Sequence, residues 1–128
     1  MKKIIFLVMC FILSISVCSC AVVDISDSTT AELRFIHGDK NIETEMSADD
    51  FRIITEIFKG KVLFSDVPSC GFSKDIAVLI DNQTFCLACD DCGLVYLPEK
   101  DKYFDLSEEE HKKVREILTS YGFHFPCV

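Results

Sequence analysis

Three cysteines, Cys86, Cys89 and Cys92, stand two residues apart in the run Cys-Leu-Ala-Cys-Asp-Asp-Cys, the segment of the chain with the most evident capacity for chemistry. Gaps of two residues suit a zinc ion or an iron–sulfur cluster, because so short a loop can turn neighbouring sulfurs toward one centre. The pair Cys89-Asp90-Asp91-Cys92 also has the spacing of a redox dithiol. The surroundings meet neither demand. Alternation over Thr84 to Cys89 predicts a strand, in which Cys86 and Cys89 face opposite sides of a sheet and cannot hold one ion. A fourth ligand would have to come from Cys70, Cys127 or a histidine distant in sequence. A reactive dithiol needs a helix N-terminus, whose dipole favours the thiolate. Here Gly93-Leu94-Val95-Tyr96-Leu97 follows and reads as a strand, while Asp90 and Asp91 place negative charge beside the sulfurs and raise their pKa. Structural thiols or bridges are therefore expected, with no metal, no cofactor and no enzymatic activity. A thiol–disulfide oxidoreductase or metal protein using Cys86, Cys89 and Cys92 is the alternative.

The remaining candidates have plainer explanations. His37, His111 and His124 are widely spaced and form no ligand pattern. Asp49-Asp50 and Glu108-Glu109-Glu110 suit the first turns of helices, where carboxylates meet the positive end of the dipole. No glycine-rich phosphate loop and no serine nucleophile motif is present.

What the cysteines do depends on where the chain goes. Met1-Lys2-Lys3 is a short basic start, and Ile4 to Val17 is an apolar run interrupted by two serines, the length of a signal h-region. Val17-Cys18-Ser19-Cys20 resembles the lipobox of bacterial lipoproteins, with an aliphatic residue three before the last cysteine and a small residue just before it. The resemblance covers residues 1–20 and implies that Cys20 is lipidated and becomes the new N-terminus; Cys18 departs from the small residue usual at its position. Cleavage after Ala21, and an uncleaved anchor from Ile4 to Val23, are the other two outcomes. With Lys2 and Lys3 on the inner side, all three export the rest of the chain. The expected location is the extracytoplasmic side of a cell membrane or envelope, held through a lipid anchor.

Lys2 and Lys3 are the only charged residues before Cys20, so the mature chain keeps eleven of thirteen basic side chains and all twenty-one acidic ones, a net charge of −10 with histidine neutral. Such a surface repels nucleic acid phosphates and anionic headgroups. No nucleic acid is expected as a partner; a basic protein or peptide fits the charge.

Of the eight cysteines, Cys70, Cys86, Cys89, Cys92 and Cys127 remain in the exported domain, and an oxidising compartment makes disulfides their default fate. Five thiols allow two bridges with one left over, or one bridge with three free, and spacing alone does not choose the pairing. The partner favoured for Cys127 is Cys70, in a loop whose Pro68 and Gly71 let it adapt to disulfide geometry.

The elements that must position these residues form an α+β domain. Residues 1–19 are the signal, the Ser-, Thr- and Asp-rich 20–30 are expected to be a tether, and 31–128 a single globular unit. Two amphipathic helices are predicted at about 48–59 and 108–121. Ser47 with Asp50 and Ser107 with Glu110 cap them, apolar residues recur at helical spacing, and Gly60 and Gly122 stop them. Between and before them lie short period-two segments making an antiparallel sheet of about five to seven short strands. These are a hairpin around His37–Asn41, a strand over Lys61–Ser65, a hairpin about Asn82-Gln83 and another around Pro98–Asp101. In the second, Ile80 is expected opposite Phe85, Val78 opposite Leu87 and Ile76 opposite Cys89.

Overall fold

A computed structural model describes residues 20–26 and 28–127; the signal expected over 1–19 lies outside the described residues. Six antiparallel strands and two helices follow in the order β1 (Glu32–His37), β2 (Lys40–Glu45), α1 (Ala48–Phe58), β3 (Ile76–Ile80), β4 (Gln83–Leu87), β5 (Leu94–Leu97), β6 (Lys102–Asp105) and α2 (Glu108–Ser120). The sheet order is β2-β1-β3-β4-β5-β6, an α+β arrangement as expected.

Both helices start as their sequences dictate. The Ser47 hydroxyl accepts the Asp50 N–H at the start of α1, and Ser107 with Glu110 forms a complete capping box at α2. Gly60 and Gly122, at φ +78° and +98°, take left-handed backbone just beyond each helix. The Tyr121 hydroxyl accepts from the Ser47 N–H at 2.8 Å and donates to the Asp50 carboxylate at 2.7 Å, tying the end of α2 to the start of α1.

Strand parity decides which residues form the core. Leu33, Phe35, Ile76, Val78, Ile80, Phe85, Leu87, Val95, Leu97 and Phe104 lie on one face of the sheet and are buried with Phe51, Ile54 and Phe58 of α1 and Val114, Ile117 and Leu118 of α2. The Phe58 ring sits 5.2 Å from those of Phe85 and Phe104, which brings the end of α1 under the centre of the sheet.

Three expectations are corrected. In the β3–β4 hairpin Ile80 pairs with Gln83, Val78 with Phe85 and Ala77 with Cys86, so the turn residues are Asp81 and Asn82. Asp81 adopts φ +54°, a left-handed conformation that aspartate tolerates better than most residues. A shift of two leaves every side chain on its expected face, which is why the apolar pattern could not detect it. Lys61–Ser65 forms two isolated bridges, Val62 to Val22 and Phe64 to Tyr103, in place of a regular strand. Finally, the stretch read as a tether belongs to the folded body from Ala21 to Ile25. Ala21 and Val23 make backbone hydrogen bonds to residues 60–63, and Val23 and Ile25 are buried in the core. The polar residues of 24–30 masked the apolar set Val22, Val23 and Ile25.

Candidate functional site

The connection from β4 to β5, residues 88–93, is where the expected site residues meet, and it is stapled from both sides. Cys89 is disulfide-bonded to Cys127, with Cα atoms 4.9 Å apart. Cys92 is bonded to Cys70, with Cα atoms 6.3 Å apart. The Cys70–Cys127 pairing is thus replaced by two others, for a physical reason. After α2, Phe123 and Phe125 pack on Phe35 on the helix side of the sheet, and the Cys127 N–H donates to the Cys89 carbonyl at 3.1 Å. Cys70 instead lies on the loop 65–75, which passes from the β6 edge back to β3 over the other face.

Cys86, one of the five bridge candidates, is a free thiol. It faces the side of the sheet away from the helices, between Ala77 and Tyr96, and is buried. Burial pushes its pKa up to about 11; the Glu99 charge adds to the rise and Lys74 opposes it. It is protonated and unreactive at neutral pH.

These placements bear on both chemical alternatives. Cys89 and Cys92 are held in separate bridges, so the dithiol exchange of a Cys-X-X-Cys motif would first require both to break and re-pair. Cys86, Cys89 and Cys92 do not converge. The grouping that does form among the described residues is Cys70, Asp90 and Cys92, whose ligand atoms lie within 4.8 Å of one another. Its two sulfurs are bonded to each other, and the Asp90 carboxylate accepts the Cys92 N–H at 3.0 Å as part of the turn. Thiolate ligands are absent while that bridge stands.

The face away from the helices divides in two. Over β4, β5 and β6 it is covered by the loop 65–75. The Phe72 ring packs 5.7 Å from Tyr96 and 5.6 Å from Tyr103, which stack on each other at 4.7 Å. Over β2, β1 and the end of β3 the face is bare among the described residues. Glu32, Arg34, Glu43, Glu45 and Leu79 surround a shallow depression of about 260 Å³ there. Glu32 stands directly opposite Glu45, and Arg34 opposite Glu43.

Comparison with family models, with curated proteins and with solved structures finds no match for this chain.

One cluster escaped the sequence reading. Arg115 on α2 pairs with Asp91 and lays its guanidinium over the Phe125 ring, 4.8 Å from the centroid, joining the stapled connection to the helix and the C-terminal segment. Burial holds the pKa of nearby His111 below the usual histidine range, helped by the Arg115 charge and opposed by Asp91. The one hint in sequence was the four-residue spacing of His111 and Arg115, which puts them on one helix face. The three histidines do not gather at one site: His37 lies at the end of β1, His111 in α2 and His124 beyond it. Cys20 is exposed, immediately before the docked segment. No described helix is long and apolar enough to cross a membrane.

Proposed function

We propose that the chain is an exported bacterial lipoprotein, anchored through Cys20, whose domain binds a basic protein or peptide on the bare half of its sheet. The observation that carries the binding role is that half-face: three glutamates and a single arginine around a shallow depression, with none of the described residues laid over them. A sheet face left open in a small domain forgoes burial that its other half obtains, and the side chains here are those that attract cations. Two disulfides accord with residence outside the reducing cytoplasm. An inhibitor-like or immunity-like module, covering a basic partner, would use such a surface.

The test compares two variants of equal charge change. Glu32→Gln/Glu43→Gln/Glu45→Gln should weaken binding of a lysine-rich peptide about tenfold at low salt, since three rim charges at roughly 0.5 kcal/mol each amount to that factor. Glu56→Gln/Glu109→Gln/Glu116→Gln, on the exposed faces of the helices, should leave most of the affinity intact. Equal losses in both would mean that bulk charge alone attracts the peptide, and the binding face would be withdrawn.

A further inference from the structure

The anchor reading of Cys20 acquires a geometry from the way the chain leaves that residue, and the inference here rests on that reading. Ala21 accepts the Leu63 N–H at 2.8 Å, Val23 donates to the Lys61 carbonyl at 2.9 Å, and the Val23 carbonyl accepts the Gly60 N–H at 2.9 Å. Val23 is 1% exposed and Ile25 4%. The folded body therefore begins one residue after Cys20. At roughly 3.5 Å per residue, Val22 lies no more than about 7 Å from the residue that would carry the lipid. That distance is about the depth of the headgroup layer on each side of the hydrocarbon core.

The side chains at this place are the kind a bilayer interface accepts. Val22 and Val62 bridge to each other and are 45% and 56% exposed. Among the described residues, exposed large apolar side chains number four; Val22 and Val62 belong to the two segments beside the anchor, Val67 is on the loop 65–75 and Ile36 is on β1. Two residues after Val62, Phe64 bridges to Tyr103 on β6, so this patch marks the β6 edge.

We infer that the Val22–Val62 edge lies against the bilayer that holds the Cys20 lipid, placing the β1–β2 hairpin and the bare acidic half-face at the side away from the membrane. Five strand spacings, roughly 24 Å, separate the two edges of the sheet. The net charge of −10 repels anionic lipid, so the contact follows from the covalent lipid and does not replace it.

The chain has no tryptophan, so a single introduced one reports its own surroundings. The full-length protein, made in a bacterial host that lipidates it, is purified as Val62→Trp and separately as Asp39→Trp, the latter on the exposed hairpin tip. Each is reconstituted in vesicles of brominated phosphatidylcholine and phosphatidylglycerol. The expected result is blue-shifted emission and strong quenching for Val62→Trp, with solvent-like emission and little quenching for Asp39→Trp. Val22→Trp should behave as Val62→Trp does. Lipidated protein quenched equally at positions 62 and 39 would overturn the orientation while leaving the anchor intact. An intact mass without lipid on Cys20, taken on the same preparation, would overturn the anchor and the orientation together.

Discussion

The two halves of the sheet's outer face belong to one continuous antiparallel sheet, yet they are finished in opposite ways. Over β4–β6 the outward-facing positions are Cys86, Tyr96 and Tyr103, and a loop bearing Phe72 is laid across them and bonded down through Cys70–Cys92. Over β2–β1 the equivalent positions are Glu43, Glu45, Glu32 and Arg34, and none of the described residues lies across them. Carboxylates keep their hydration only if left in water, whereas aromatic rings gain by being covered. The covered half is thus committed to holding the fold together, and the bare half is free to meet another molecule.

The largest effects should come from the staples. Closing loops with sequence separations of 22 and 38 residues restricts the unfolded chain by about 3.5 and about 4 kcal/mol respectively. The loops overlap, so the double loss should fall short of the sum. Cys89→Ser/Cys127→Ser is expected to lower stability most, read as the denaturant midpoint. Cys70→Ser/Cys92→Ser should cost slightly less and add a distinct sign, alkylation of Cys86 in the folded protein once the covering loop is loosened. Protection of Cys86 in that variant would show that the loop stays in place without its bridge.

A smaller change confined to the cover should follow from Phe72→Ala. It removes two aromatic contacts from a half-buried ring and is expected to cost about 1–2 kcal/mol in chemical denaturation. A loss below a few tenths would mean that the bridge alone holds the loop.

The smallest effect belongs to the bare half. Glu45→Lys puts opposite charges across from each other where Glu32 and Glu45 now face, and should stabilise by a few tenths of a kcal/mol. Destabilisation there would show that Glu45 is engaged in the fold, against the contrast between the halves.

Much of this architecture was legible in the chain. Ser47-Ala-Asp-Asp50 and Ser107-Glu-Glu-Glu110 placed both helix starts, because a cap is a local device that needs no tertiary partner. The hairpin β5–β6 was likewise marked by the turn-forming residues between Leu97 and Lys102. The turn at Asp81-Asn82 was missed because a two-residue slip leaves the alternating pattern unchanged. The docking of Val22, Val23 and Ile25 was missed because their neighbours are polar and their partners, residues 60–63, are nearly forty positions away. Of the five cysteines singled out as bridge candidates, Cys70, Cys89, Cys92 and Cys127 form bridges and Cys86 does not, and the pairing follows from which side of the sheet each segment crosses. That is a property of topology and is not carried by spacing.

The measurement that tests the account most directly is an intact mass taken without reduction, after denaturation and thiol alkylation, on protein extracted from membranes of a lipidating bacterial host. The account predicts a chain beginning at Cys20 with diacylglycerol and acyl groups attached and one alkyl adduct, on Cys86. A mass without lipid, or with three or more adducts, would contradict it.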